Sequence, residues 1–381
     1  MVILGIDTSC DETAVAVCEN DSILSNIISS QVKSHAEWGG VVPSLARRKH
    51  EELIDHIIEI ALKRSGKTME SIDAIAVTKG PGLAVALEVG IKKAKELAIE
   101  YKKPLIPINH MEGHLYSALA KNSKGKPTIE YKFPLLVLLI SGGHTELVLM
   151  MNHGQYEILG RTLDDAIGES FDKVGRILNM GYPAGPVLEK IAENGDENSY
   201  ELPIPMKNSK DLNMSYSGLK TASMKLVNDE IGTMNDYGAK FVASLQTSHT
   251  LSRSQKQKDL KSNKNPATII ANISASFQKA AVEQVLFKTN QALRKLENDG
   301  LQIQDLVIAG GVAQNKYLRK KFRKTFPTLR IHYPLNKKLF TDNAGMIAIA
   351  GYFNALRGNV ITDMHDINRL DREPNWRIDS V

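Results

Sequence analysis

Cysteine is scarce in this chain: Cys10 and Cys18 are the only two in 381 residues. That excludes a disulfide framework, and their spacing excludes a zinc cluster, so a reducing compartment fits. Long apolar runs are also missing. The longest uninterrupted one, Leu135 to Ile140, falls far short of the roughly 20 residues a membrane helix needs. No basic region precedes the apolar start, which soon meets acid at Asp7, Asp11 and Glu12. The expectation is therefore no signal or transit peptide, no membrane partner and a cytoplasmic location. A composition of 42% hydrophobic and 24% charged residues excludes wholesale disorder and collagen-like repeats.

At roughly 150 residues per domain the length suggests two or three units. The net charge is +5, unevenly spread: residues 316–338 hold nine Lys or Arg and no acid. A second basic stretch, Arg253 to Lys264, is rich in Ser, Gln and Asn and reads as a loop. Such asymmetry suits an anionic partner, although a basic helix face is also ordinary solvated surface.

The first forty residues read as a hairpin plus a third strand: Val2 to Ile6, a polar turn Asp7 to Thr13, Ala14 to Cys18, then Ser22 to Ser30. A helix from Pro43-Ser44 to Gly66, a strand Ile72 to Val77, a glycine loop Lys79 to Gly82 and a helix Leu83 to Glu100 follow. The same grammar returns at Leu135 to Ile140, the turn Ser141 to Thr145, Leu147 to Met151 and Tyr156 to Leu159. A helical segment is expected over Leu163 to Leu178, and Leu306 to Ala309 enters a second strand, glycine turn and helix at Gly310-Gly311 and Asn315. Two copies of one α/β unit account for this. The expected division is residues 1–118, residues 119–340 with a polar insertion at about 228–265, and a C-terminal helix and tail, 341–381, returning to the interface. A duplicated lobe with two hairpins facing a cleft resembles the actin-like (ASKHA) superfamily, which clamps a nucleotide between its lobes.

His110 and His114 stand four apart, on one face of a helix that Asn109 could cap. Two imidazoles with a distant carboxylate suit iron or zinc; Asp342, ahead of the apolar run from Ala344, is the candidate. Two surface histidines would show the same spacing. Glu112 is two residues from the first His and not adjacent to it, unlike a metallopeptidase base. Ser141-Gly-Gly-His-Thr145 and Gly310-Gly-Val-Ala-Gln-Asn315 offer bare backbone at strand ends, where open α/β sheets bind ligands. They are expected to face one cleft from the two lobes; plain tight turns are the alternative. The Asp7 to Thr13 turn lacks the glycine after the first acid that a phosphotransferase of this superfamily carries, and Asp11 and Glu12 would repel a γ-phosphate.

Taken together, Gly5-Ile-Asp-Thr-Ser-Cys-Asp-Glu-Thr13, Gly39-Gly-Val-Val-Pro43, Gly80-Pro-Gly-Leu83, His110-Met-Glu-Gly-His114, Ser141-Gly-Gly-His-Thr145, Phe171-Asp-Lys-Val174, Ser215-Tyr-Ser-Gly-Leu-Lys-Thr221, Gly310-Gly-Val-Ala313 and Thr341-Asp-Asn343 resemble the tRNA threonylcarbamoyladenosine transferases. The likeness is to the bacterial or organellar TsaD type rather than to Kae1. It implies transfer of a threonylcarbamoyl group from threonylcarbamoyl-AMP to N6 of adenosine 37 in tRNAs reading codons that begin with A. By motif, His110, His114 and Asp342 would bind one divalent metal, Fe2+ first and Zn2+ as the alternative. Ser141, Gly142, Gly143, His144, Thr145, Asp172, Gly185, Glu189 and Asn315 would hold the adenylate. Asp11 and Glu12 are candidates for taking the N6 proton; capping the turn is their other reading. The implied partners are tRNA, threonylcarbamoyl-AMP and, for the bacterial type, TsaB and TsaE helper subunits. The chain departs from the family at Tyr182-Pro-Ala-Gly-Pro186, where a second glycine is usual, and at Glu189, where Asp is frequent. A metallopeptidase or an actin-like ATPase or chaperone stands as the alternative. For tRNA, the basic stretch interleaves with Tyr317, Phe322, Phe326 and Tyr333. Arg319, Lys320, Arg323 and Lys324 are expected to point outward, with Arg47-Arg48-Lys49 or the basic loop as other faces.

Overall fold

The computed structural model describes residues 1–38, 40–128, 130–231 and 266–381. Its strands form two sheets. The first holds β1 (Val2–Asp7), β2 (Glu12–Glu19), β3 (Ser22–Ser30), β4 (Ala74–Gly80), β5 (Leu105–Asn109) and β6 (Lys121–Asn122) in the order β5-β4-β1-β2-β3-β6. The second holds β7 (Leu135–Ile140), β8 (Thr145–Asn152), β9 (Gln155–Arg161), β10 (Asp305–Ala309) and β11 (Arg330–His332) in the order β11-β10-β7-β8-β9. Without β6 the two orders correspond strand for strand, as a duplicated unit requires. In each, the opening hairpin is antiparallel and the next strand joins the first in parallel. β1 and β7 are buried along their whole length, which is why both read as continuous apolar runs and not as alternating ones.

The helices are α1 (Val32–Ala36), α2 (Pro43–Ser65), α3 (Ala84–Glu100), α4 (His110–Ser117), α5 (Ile167–Ile177), α6 (Gly185–Ala192), α7 (Ser217–Ile231), α8 (Pro266–Asn298), α9 (Lys316–Thr325), α10 (Ala344–Leu356) and α11 (Met364–Arg369). Helix α2 has Pro43 in its first turn and ends at Gly66 with φ +68, the left-handed cap glycine takes at low cost. The helix expected from Leu163 starts only at Ile167. Asp164 and Asp165 instead accept hydrogen bonds from Ser215, Tyr216, Lys173 and Lys220, which tie this segment to the start of α7 and to α5 outside the helix. Of the expected polar insertion, residues 228–231 are the end of α7. The remainder, with the basic loop Arg253 to Lys264, lies outside the described residues.

Three apolar cores hold five layers together, the third of them enclosing the middle layer. One core joins α2, α3 and α11 to the outer face of the first sheet, and another joins α5 through α9 to the outer face of the second. The third lies between the sheets and takes in Ile3, Ala76, Val137, Val148, Met111, Leu115 and Tyr116 of α4 and much of α10. α4 and α10 are therefore a middle layer. Glycine permits the approach: a Cβ on Gly5 of β1 would stand 2.6 Å from the Ala344 carbonyl oxygen. The division expected from sequence shifts accordingly. β6 extends the first sheet beyond residue 118, and α10, in the 341–381 segment, packs between the sheets.

Asp305 ties the second sheet together. Its buried carboxylate accepts from Arg330 Nη2 at 2.6 Å, His332 Nε2 at 2.7 Å and the Lys132 backbone at 3.1 Å. Burial opposes its ionisation, but the Arg330 and His332 contacts outweigh that and hold the carboxyl below its ordinary range. A carboxylate depressed below an unfolded value of about 3.9 adds stability that is present above that pH and lost as pH falls through the folded value. Asp305→Asn should cost about 1–3 kcal/mol near neutrality, with the gap from wild type closing below about pH 4. Urea midpoints separated equally at neutral and acid pH would contradict this.

Candidate active site

α4 begins where it does because Asn109, at the end of β5, accepts from Met111 N at 2.9 Å and Glu112 N at 3.4 Å. α10 is started the same way by Asn343, which accepts from Met346 N at 3.1 Å. These caps set His110 and His114 on one face of α4 and Asp342 just ahead of α10. His114 Nε2 lies 3.1 Å and His110 Nε2 3.4 Å from Asp342 Oδ1. The ligand atoms of all three residues lie within 4.8 Å of one another. Ligands about 2.1 Å from a common ion at angles of about 90–110° would stand about 3.0–3.4 Å apart, so the separations fit a divalent cation.

The donor set fits as well. Both histidines are nearly inaccessible, and Nδ1 of each, with Asp7 Oδ2, is buried without a hydrogen-bond partner. Burial resists charge on His110, yet Asp342 and then Asp7 outweigh it and raise its pKa to about 10. Asp342 is held well below the usual range, burial opposing and His110 and His114 lowering. Protons and a cation thus compete for the same atoms.

The surrounding groups are strongly polarised. Burial, then Asp342 and Asp11, push Glu12 up to about 9, although Ser30 Oγ donates to it. Burial, then His110 and His114, push His144 down to about 4. His144 is therefore neutral near pH 7 and belongs electrostatically to the histidine pair. Asp11 is partly exposed, and its backbone oxygen accepts from Gln31 N.

A cavity of about 550 Å³ is lined by Gly142, Phe171, Asp172, Gly185, Glu189, Gly311, Asn315, Lys316, Lys337 and Thr341, among others. That volume is in the range for small-molecule sites. Asp172 Oδ1 accepts from Ala184 N and Gly185 N at 2.8 and 2.9 Å, which fixes the loop entering α6. Glu189 Oε1 accepts from Lys316 N at 2.7 Å and closes the α6–α9 side. Thr341, which lines the cavity, is next in sequence to Asp342.

Several expected placements change. The two glycine turns do not come from different lobes: Gly142-Gly143 joins β7 to β8 and Gly310-Gly311 follows β10, both on the second sheet. Apart from Thr341, the residues lining the cavity all come from that lobe. Thr145 is buried, and its hydroxyl accepts from Ile167 N at the start of α5, while Ser141 closes its own turn with His144. Asn315 lines the cavity, but its amide donates to Gln278 and its oxygen caps α9 at Leu318 N. Glu112 points away from the histidines, so among the described residues α4 supplies no peptidase base. On α9, Arg319 is half-buried over the Tyr333 ring, 4.3 Å from its centroid, and does not point outward. Phe322 packs inward with Leu318, as their spacing of four on a helix predicts, and Phe326 is a core residue as well. Arg47, Arg48 and Lys49 are each matched by Glu51 or Glu52. Sequence reasoning missed Asp7, whose Oδ1 lies 3.7 Å from His110 Nδ1; an acid at a strand end carries no spacing signal. Phe171 and Gly311 lay within motifs already noticed.

Fold and site define the class: a two-lobed actin-like α/β protein with a ligand cavity beside a His/His/Asp centre. A family model for tRNA N6-adenosine threonylcarbamoyltransferase (TsaD) matches residues 22–349. Curated proteins of that name are 45% identical over 94% of this chain and 93% of the protein in Thermomicrobium roseum, and 42% identical over 99% and 100% in Thermosipho africanus. In Staphylococcus saprophyticus the figures are 41%, 98% and 97%. The chain belongs to this family. Among solved structures, full-length HypF in its phosphate- and nucleotide-bound form aligns over 93% of this chain and 46% of its own, at 13% identity and TM-score 0.54, a likeness of fold.

Replacing His110 or His114 by Ala should strip most bound iron or zinc while the fold persists, because two ligands hold an ion far less tightly than three. Full occupancy by elemental analysis in both variants would refute the centre. For Asn315→Ala the engaged amide predicts a stability loss of about 1 kcal/mol from the lost cap. Calorimetry should show a smaller effect on adenine nucleotide binding; the reverse ranking would put the amide on the ligand.

Proposed function

We propose that the chain transfers the threonylcarbamoyl group from threonylcarbamoyl-AMP to N6 of adenosine 37 in tRNAs reading codons that begin with A. The observation that carries this reading is the family match over residues 22–349. That span includes the His110, His114 and Asp342 centre and the cavity residues named above.

The donor is a mixed carbamic-phosphoric anhydride, so AMP leaves and no ATP is hydrolysed at this step. That agrees with the first hairpin turn, where Asp11 and Glu12 replace a phosphate cradle. The cavity holds the adenylate: Gly142, Gly185 and Gly311 leave backbone free for close approach, and Asp172 keeps the Gly185 loop in place. N6 of adenosine is a weak nucleophile because its lone pair delocalises into the purine, so fixing donor and acceptor supplies much of the acceleration. His110, His114 and Asp342 would hold a divalent cation, Fe2+ with Zn2+ as the alternative, which would supply Lewis-acid polarisation of the donor and offset the negative charge shared by Asp342 and Glu12. Glu12, once the charge of that cation draws its carboxyl down from about 9, would accept the N6 proton, and Asp11 supports the turn that aims it. Neutral His144, on the same turn as Gly142, donates to negative charge developing on the carbonyl. AMP departs with the electron pair of the broken C–O bond, and the new C–N bond remains on the nucleoside.

The tRNA lies across the exposed part of α9, where Lys320, Arg323 and Lys324 have no neighbouring acid in sequence. Helper subunits of the TsaB and TsaE kind are the protein partners, and the cytoplasm is the site of action. No helix among the described residues is long and apolar enough to cross a membrane.

Mass spectrometry of nucleosides from tRNA incubated with the chain, helper subunits and threonylcarbamoyl-AMP should show threonylcarbamoyladenosine that depends on the chain and on threonylcarbamoyl-AMP and forms without added ATP. No product from a metal-loaded sample would overturn the reading. Removing charge at Lys320, Arg323 and Lys324 should weaken all tRNAs alike and flatten the slope of log affinity against log salt by about 0.7–0.9 per lost contact. An unchanged slope would move the tRNA to another face.

A further inference from the structure

Glu112 is the one titratable residue of the His-Met-Glu-Gly-His segment that the transfer reaction does not use. Its side chain is 1% exposed and is held by three donors. Such a group is costly to keep without a role in positioning or chemistry. Its Oε1 accepts from Tyr156 Oη at 2.7 Å and from Arg357 Nη2 at 3.4 Å, and its Oε2 from Asn354 Nδ2 at 3.1 Å. Tyr156 is on β9 of the second lobe, Asn354 on α10, and Arg357 just beyond it. One carboxylate on α4 therefore fastens that helix to both of the elements that flank it.

The angular position of Glu112 gives the anchor its consequence. At about 100° per residue, Glu112 stands about 200° from His110, and His114 about 40° from it. Glu112 is thus diametrically opposite the mean direction of the two imidazoles. A grip at that point sets the rotation of α4 about its own axis. Imidazole nitrogens about 6 Å from the axis move 0.2 Å, about the tolerance of a metal–ligand bond, for a turn of only about 2°. The same side of α4 carries Tyr116, whose hydroxyl contacts His153 Nδ1 at 2.8 Å; the His153 ring stacks on Phe353 of α10 at 4.2 Å. On the neighbouring face, Gly113 lets α10 come close: a Cβ there would stand 2.8 Å from Ile347 Cδ1.

We propose that Glu112 is a positioning residue that locks the rotation of α4 against α10 and β9, so that His110 and His114 meet Asp342 at ion-binding separation. The inference rests on the metal reading of that triad. It concerns a residue that touches neither the ion nor the substrates.

The test titrates metal-free protein with Zn2+ for affinity and with Co2+ for its visible ligand-field spectrum, alongside thermal unfolding without metal. Glu112→Ala should weaken Zn2+ binding by about 10- to 100-fold, as loss of an outer anchor does, and should alter the Co2+ spectrum. Ile54→Ala, a core truncation in α2 on the far side of the first sheet, should lower the unfolding temperature and leave both metal readouts at wild-type values. Glu112→Gln, of the same shape, should recover part of the affinity. Tyr156→Phe removes a single donor, so it serves if Glu112→Ala does not fold, with an expected loss of about threefold or more. Wild-type affinity and spectrum in Tyr156→Phe and in whichever Glu112 variants fold would overturn the proposal. If wild type binds no more tightly than His110→Ala, the metal reading itself fails and this inference falls with it.

Discussion

The structure depends on α4 and α10 being buried between two sheets. Each sheet has helices on its outer face and the same two helices on its inner face, so the polar ends of α4 and α10 must be satisfied within the protein. Asn109 and Asn343 supply those bonds at the helix starts, and the residues beside the caps are thereby fixed to within side-chain tolerances. The metal candidates are those neighbours: His110 directly after one cap and Asp342 directly before the other. Burial of Asp7, His110 and His114 also strengthens the electrostatic interactions these residues make.

That arrangement separates two tasks along the second sheet. The glycine turns after β7 and β10 make a cavity from short backbone, and the middle layer presents the charged groups beside it. His144 links them, since it lies on the β7–β8 turn yet is shifted by His110 and His114. The cost of the design is a set of groups far from their ordinary protonation, with Glu12 and His144 displaced in opposite senses from neutrality. Pairs pushed apart in this way are how neighbouring groups acquire different roles in proton transfer.

Much of this was legible in the sequence for physical reasons that can be named. β1 and β7 announce themselves because strands buried on both faces must be apolar throughout. The spacing of His110 and His114 survives as a signal because a helix places such residues together, and Asp342 stood out because it precedes an apolar run. Other features depend on partners remote in sequence. Asn315 turned out to be engaged by Gln278, Arg319 stacks on Tyr333, and Asp7 lies against His110, none of which has a periodic trace. The origin of both glycine turns in one lobe was hidden as well, because the strand, glycine and helix grammar is the same in either copy. Glu112 was read only as not being a peptidase base; its grip on Tyr156, Asn354 and Arg357 required the packing of three elements to be seen at once.

The proposed reaction requires the cavity and the His/His/Asp centre to form one active site. Crystals grown with iron or zinc and a non-hydrolysable threonylcarbamoyl-adenylate analogue test this through anomalous scattering at the metal edge. One anomalous peak is expected about 2.0–2.2 Å from Nε2 of both histidines and from an Asp342 oxygen, with the analogue's adenylate in the Phe171 and Gly311 cavity and its threonyl end reaching the ion. An ion held elsewhere, or an analogue bound away from that cavity with the triad empty, would contradict it.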